Sequence, residues 1–145
     1  MHIYTIGFTQ KTARAFFESL RDVQAAYLLD IRIHNNSQLA GFSKRDDLEY
    51  FPQRLTRMTY LEYPLLAPDE AIFKQYRSGW DWPAYEARYL ALLESRWASE
   101  EIDARVFEGG VVLLCAEPTP ERCHRRLAAE YLQSHLFPEA QIVHI

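Results

Sequence analysis

Cysteine is scarce: the chain has two in 145 residues. Two thiols cannot build a secreted disulfide framework, so stapled mini-protein scaffolds are excluded and a thiol-bearing cytosolic protein is expected. Glycine occurs five times and proline seven times, without period, which excludes collagen and Pro/Gly-rich disorder. No apolar run exceeds a few residues, so no helix is expected to cross a bilayer and no membrane partner is expected. The opening Met1-His2-Ile3-Tyr4 lacks a basic stretch leading into an apolar block, and no signal peptide is expected. Neither sign of charge dominates, since 16 Lys and Arg face 20 Asp and Glu for a formal net charge of −4. A mildly acidic chain is a poor general binder of duplexes or membrane surfaces, although it can carry a local basic patch. What is present in quantity is core material: 48% hydrophobic and 14% aromatic residues, enough for one ordinary domain spanning residues 1–145.

Periodicity divides the chain into alternating strands and helices. Ile3 to Ile6 reads as a short buried strand ending at Gly7, and Thr9 is expected to cap a helix to about Leu20. Ala26 to Ile31 reads as a second strand that ends in the polar pair Asp30 and Arg32. His34 to Lys44 reads as a loop, and Asp46 to Met58 as a helix interrupted by Pro52. Tyr60 to Leu66 suggests a third, shorter strand, whereas Pro68 to Pro83 gives no clear pattern. Pro83 to about Trp97 has helical phasing through Tyr85, Tyr89, Leu92 and Leu93. Val111 to Cys115 is the clearest buried strand, followed by a helix from Pro120 to about Leu136 and a last strand at Ile142 to Ile145. The alternation predicts an α/β three-layer sandwich, a mostly parallel sheet flanked by helices. In such a sheet the strand-to-helix loops gather at the carboxyl edge, where ligands bind. Gly7-Phe8-Thr9, Asp30-Ile31-Arg32 and Cys115-Ala116-Glu117-Pro118 all fall there.

The segment from Cys115 to Arg126 departs most from what stability alone requires. Thr119 and Pro120 form a good helix start, and the positive pole of a helix favours acids. Glu121 obeys that preference, but Arg122, Arg125, Arg126 and His124 crowd the same turn. Each such cation is unfavourable by up to about 1 kcal/mol before screening, and Arg122 and Arg126 form a like-charge pair four apart. An anion over the helix start would reverse the sign of these terms. A solvated basic turn paired with surface acids is the competing account. Cys115 and Cys123 are candidate reactive thiols, because a helix start and arginines lower a thiol's pKa; either can equally be a small core residue. His124 can transfer protons or pack as a core side chain, and Glu117 can act as acid or base or pair with Arg122 or Arg125. Zinc is disfavoured, since Cys115, Cys123 and His124 supply three ligands without an evident fourth, and neither metal nor cofactor is expected.

Elsewhere, Asp30 can orient Arg32 toward an anion or tie the loop down as an ion pair. The stretch Ser37 to Lys44 carries hydroxyls at Ser37 and Ser43 together with Lys44, but it is no phosphate-binding P-loop; it reads as a lid or binding loop. Gly7 permits close backbone approach. Trp80, Trp82, Tyr85 and Tyr89 can stack on a base or sugar, with core packing favoured for the two tyrosines at helical spacing. The chain has no Gly-x-Ser-x-Gly elbow, His-Glu-x-x-His helix or Gly-x-Gly-x-x-Gly fingerprint.

Taken together, Tyr4-Thr5-Ile6-Gly7-Phe8-Thr9, Asp30-Ile31-Arg32 and the run Cys115 to Arg126, with its Cys-x-Glu and Cys-His-Arg elements, resemble DUF488, a prokaryotic domain family without an assigned reaction. The resemblance implies an α/β domain with its site at Gly7, Asp30, Arg32, Cys115, Glu117, Cys123, His124 and Arg125. Two functions follow from the residues. One is an enzyme or ligand-processing protein acting on a phosphate-bearing substrate, a nucleotide or nucleic-acid end. Arg32, Arg122, Arg125 and Arg126 would hold the anion there, Cys115 or Cys123 would react, and Glu117 and His124 would move protons. The other is a non-catalytic module that reads an anion, its cysteines a redox pair or plain core. Gly7, Thr9, Asp30, Ser43 and Lys44 are the expected supporting residues.

Overall fold

The computed structural model describes residues 1–36 and 41–145. Five strands, β1 (His2–Gly7), β2 (Tyr27–Asp30), β3 (Thr59–Glu62), β4 (Val111–Cys115) and β5 (Gln141–His144), form one sheet in the order β3-β2-β4-β1-β5, with every pairing parallel. Helices α1 (Ala13–Arg21) and α2 (Arg45–Leu55) cover one face; α3 (Glu70–Gly79), α4 (Trp82–Ser95), α5 (Ala98–Glu101) and α6 (His124–His135) contribute to the other. The α/β reading from sequence is therefore realised, with a sheet that is wholly parallel.

Alternation along the strands explains the layers. Val111 and Leu113 of β4 point into a core shared with Tyr89 and Leu93 of α4 and Leu127 and Leu132 of α6. Val112 and Leu114 point the other way, toward Phe16 and Leu20 of α1 and Leu48 of α2. A strand buried on both sides needs apolar residues at every position, and all five residues of β4 are buried. Among the described residues, no helix is long and apolar enough to cross a membrane.

Several boundaries differ from those expected, each for a local reason. Thr12, not Thr9, caps α1 by accepting from the Ala15 amide at 3.1 Å. Thr9 is tied to the Ala116 carbonyl, and Gln10 has a positive φ of 63°, so the chain cannot be helical there. The stretch expected as one strand from Tyr60 to Leu66 is β3 followed by a 3-10 turn at Pro64–Leu66, because Pro64 has no amide to continue the ladder. The uninterpreted stretch after Pro68 contains α3, capped by Asp69 through the Ile72 amide at 2.8 Å. The last long helix begins at His124, not Pro120. Thr119 is engaged with the Glu121 carboxylate, Cys123 donates its amide to the Pro120 carbonyl at 3.3 Å, and the extended Cys123 is the residue that enters the helix.

Candidate functional site

Strand order assembles the site. Neighbouring strands β2, β4 and β1 carry the three polar loops, and the ladder pairs Gly7 with Cys115 and Asp30 with Leu114. Asp30, Gly7 and Cys115 thus stand level at the carboxyl edge. A cavity of about 670 Å³ opens over them, with Thr9, Arg32, Cys115, Glu117, Cys123 and His124 on its wall. Six residues singled out in three separate stretches of sequence are brought together in one concavity.

The thiols form its floor. Cys115, the last residue of β4, is 4% exposed, and Cys123 is buried at the entry to α6. Their sulfurs stand 2.6 Å apart. His124 fixes the other side: its Nε2 lies 2.6 Å from the Ile31 carbonyl, and its Nδ1 faces the Cys115 Sγ at 3.6 Å. A carbonyl only accepts, so Nε2 carries a proton, and Nδ1 is the atom that shares one with the thiol. Burial opposes a charge on Cys115. The Cys123 thiol, the His124 imidazolium and the Glu117 amide outweigh it and hold the Cys115 pKa well below the ordinary cysteine value. Burial and the neighbouring Cys115 thiolate push Cys123 the opposite way. Burial disfavours the imidazolium, but the Cys115 thiolate beside it raises the His124 pKa. Of the two sulfurs, Cys115 is therefore the one whose ionisation is favoured and Cys123 the one whose ionisation is opposed. Glu117, on the rim, has its pKa raised by partial burial and then by the same thiolate, which favours its protonated form.

The loop after β4 is clasped from below. Arg125 is 1% exposed and donates from Nη1 to the Glu117 carbonyl, while the Thr9 amide holds the Ala116 carbonyl at 3.1 Å. Gly7 lies under this clasp. A Cβ there would run into the Glu117 carbonyl oxygen and the Arg125 guanidinium, so only glycine lets β1 approach. Lys11 also folds back, donating to the Gly7 carbonyl at 2.7 Å; burial and then Arg125 lower its pKa.

Asp30 and Arg32 form the second buried assembly. Arg32 donates from Nε to Oδ1 and from Nη2 to Oδ2, both at 2.8 Å, and its own amide also reaches Oδ1 at 3.1 Å. The Tyr60 hydroxyl donates to the same carboxylate; burial, followed by that carboxylate, drives the phenol pKa far up. Burial works against the Arg32 charge, and Asp30 more than restores it. Arg32 Nη1 is buried without a hydrogen-bond partner. That nitrogen is a hydrogen-bond donor without an acceptor, and the guanidinium lies 5.3 Å from the centroid of the Phe8 ring.

The expected cations separate into two groups. Arg32, Arg122 and His124 line the cavity. Arg122 is exposed and precedes α6 rather than belonging to its first turn. Arg125 and Arg126 are not on that wall: Arg125 holds the loop, and Arg126 bonds Glu130 at 2.9 Å and approaches Glu86 at 3.8 Å. Among the described residues, Glu117 makes no ion pair with Arg122 or Arg125; only its backbone carbonyl meets Arg125. Ser43 is buried in a 3-10 turn at Gly41–Ser43, and Lys44 precedes α2; neither lines the cavity. Residues 37–40 of the expected lid lie outside the described residues.

The sequence marks Trp80, Trp82 and Tyr85 of one wall but not Phe73, Tyr76 or Arg77. Phe73, Tyr76, Arg77 and Trp80, all from α3 and its carboxyl cap, line the cavity together with Trp82 and Tyr85. The aspartate cap at Asp69 with apolar residues at Ile72, Phe73 and Tyr76 was the available signal. Tyr85 and Tyr89 are buried, as their helical spacing indicated, whereas Trp80 is exposed.

Cys115, Cys123 and His124 also converge as metal donors, their ligand atoms within 4.8 Å of one another. The His124 to Cys115 separation suits two ligands of one zinc, but the thiols do not: with Zn–S near about 2.3 Å, tetrahedral thiolates stand about 3.8 Å apart. At 2.6 Å the two sulfurs, both free thiols, stand closer together than two ligands of one zinc ion do.

No curated protein and no solved structure matches the chain. A family model does match, over residues 12–132, which takes in the Asp30–Arg32 loop and the whole Cys115–Arg126 run and leaves β1 and β5 outside. The chain belongs to DUF488, the family described as a domain of unknown function.

Proposed function

We propose that the cavity binds a phosphate-bearing ligand and that Cys115 attacks it as a thiolate. The observation that carries this reading is that Arg32, held by Asp30, lines the same cavity as Cys115. Arg122 at the rim adds a second guanidinium for phosphate oxygens. In the first step Cys115 Sγ bonds to phosphorus, the P–O bond to the leaving group breaks, and protonated Glu117 gives its proton to the departing oxygen. In the second, water attacks phosphorus as the Glu117 carboxylate takes its proton; the S–P bond breaks, and thiolate and inorganic phosphate are released. His124 stabilises the thiolate before attack and again on its release, with Ile31 holding its ring.

The test uses nucleoside 5′-monophosphates, with phosphate release followed by phosphorus NMR. Cys115→Ser should retain binding and lose turnover, and Arg32→Gln should weaken binding about tenfold or more. Turnover by Cys115→Ser at the wild-type rate would end the nucleophile assignment.

The short separation of the sulfurs favours a second reading, a redox-regulated binding module. Hydrogen peroxide would take both thiols to a disulfide, two Cys–SH and one peroxide giving one S–S bond and two waters. Closing the remaining gap from 2.6 Å to about 2.0 Å needs little movement. Mass spectrometry after peroxide treatment distinguishes the two: loss of phosphate binding in the Cys115–Cys123 disulfide form, with no turnover in the reduced form, would favour the module.

A further inference from the structure

A phosphate group fills only part of a cavity of about 670 Å³, and the wall from α3 and α4 is built differently from the thiol floor. Tyr76 is the hub of that wall, meeting Trp80 edge to face at 5.3 Å, Trp82 at 5.8 Å and Tyr85 at 4.9 Å. Trp82 is fully engaged: its ring stacks on Tyr85 at 5.1 Å, and the Arg126 guanidinium lies over it at 5.9 Å. Trp80 differs. It is 65% exposed, and among the described residues its one ring neighbour is Tyr76, met edge to face. An indole face on the cavity wall is therefore left uncovered.

Core packing does not account for that arrangement. Trp80 is the carboxyl cap of α3 and sits in the left-handed region at φ 53° and ψ 33°, a conformation that disfavours bulky residues. Gly79, which would adopt it freely, stands one position earlier and is used inside the helix. The chain thus holds a large apolar ring in solvent, on a disfavoured backbone, on the wall of a cavity that Arg32 and Arg122 also line.

We infer that Trp80 is a stacking platform for a nucleobase, so that the phosphate-bearing ligand is a nucleotide, free or at the end of a single strand. This inference rests on the phosphate reading above and adds the ring to it. A nucleobase offers the flat π face that an uncovered indole takes, and its phosphate supplies the charge that Arg32 and Arg122 receive.

Calorimetric titration of the full chain with four probes tests it: a nucleoside 5′-monophosphate, the matching nucleoside, ribose 5-phosphate, and a short 5′-phosphorylated single-stranded oligonucleotide. The monophosphate should bind at least about tenfold tighter than ribose 5-phosphate. Trp80→Ala should erase that advantage and leave ribose 5-phosphate unchanged. Its side chain is mostly solvent-exposed, and circular dichroism checks that the fold persists. Tighter binding of the oligonucleotide than of the monophosphate would assign the strand end as the source, and equal or weaker binding the free nucleotide. Equal affinity for monophosphate and ribose 5-phosphate, or an advantage that survives Trp80→Ala, would overturn the platform while leaving the phosphate site intact. Trp80-dependent binding of the nucleoside with no contribution from phosphate would instead overturn the phosphate site. Failure of all four probes to bind overturns both.

Discussion

Arg32, after β2, and Arg125, in the first turn of α6, are both buried, and each leaves one guanidinium nitrogen without a hydrogen-bond partner. Their surroundings differ. Arg32 is matched in charge by Asp30, keeps one free nitrogen, and lines the cavity. Arg125 has no carboxylate partner among the described residues and directs Nη1 to a backbone carbonyl, away from the cavity wall. One arginine is matched by a carboxylate beside the cavity; the other is a tie rod that holds the loop carrying Glu117. A cation at a helix start is therefore not by itself an anion receptor: what decides is which group its nitrogens already hold.

The largest effect should come from unbalancing the first assembly. Asp30→Ala leaves Arg32 as an uncompensated buried cation and removes the Tyr60 acceptor, and should cost about 3–5 kcal/mol in a urea unfolding measurement. The second assembly should break through sterics instead. Gly7→Ala drives a methyl group into the Arg125–Glu117 clasp and should cost about 1–3 kcal/mol, with loss of rapid Cys115 alkylation. If Gly7→Ala leaves both stability and alkylation unchanged, the tie-rod role of Arg125 is wrong.

A smaller effect is electrostatic. The Cys115 pKa is held down, so the midpoint of its alkylation by iodoacetamide should lie below that of an ordinary cysteine, and the reaction should slow as pH falls through that lowered value. His124→Gln removes the facing positive charge, and the alkylation midpoint should move to higher pH by about one unit, a tenfold slower reaction on the acid side. A midpoint unmoved by that change would transfer the stabilisation to the Cys123 thiol and the Glu117 amide. Smallest of all should be Arg126→Ala. Its pair with Glu130 is on the surface, so unfolding should change by about 0.5 kcal/mol or less and ligand binding not at all.

Much of the fold was legible because β4 and its neighbours are buried on both faces, leaving Val111 to Cys115 as an unbroken apolar run that no loop would carry. The grouping of Asp30, Arg32, Cys115 and Glu117 was legible for the same reason, each standing at or just after a recognisable strand, and Cys123 and His124 were legible as the start of the helix that follows β4. Strand order was not, since nothing local to β4 states that β1 lies on one side and β2 on the other. The start of α6 was misread because Thr119-Pro120 satisfies every local rule for a cap, while the competing Thr119 to Glu121 bond and the clasp at Glu117 are tertiary facts. That shift of four residues removed Arg122 from the helix and turned Arg125 inward. Of the aromatic wall, Trp80, Trp82 and Tyr85 were legible as stacking candidates, whereas Phe73 and Tyr76 were not, because α3 follows a proline-bearing stretch whose periodicity is short.

The bond from His124 to the Ile31 carbonyl joins residues 93 positions apart. With chain synthesis running at about 5–20 residues per second, Asp30 and Arg32 emerge seconds before the strand that completes their surroundings. No local hairpin stands in for that strand, because every pairing in the sheet is a crossover. The nascent amino-terminal half therefore carries a charged pair whose shelter has yet to be made, and Ile31 meets His124 only when the last third of the molecule docks.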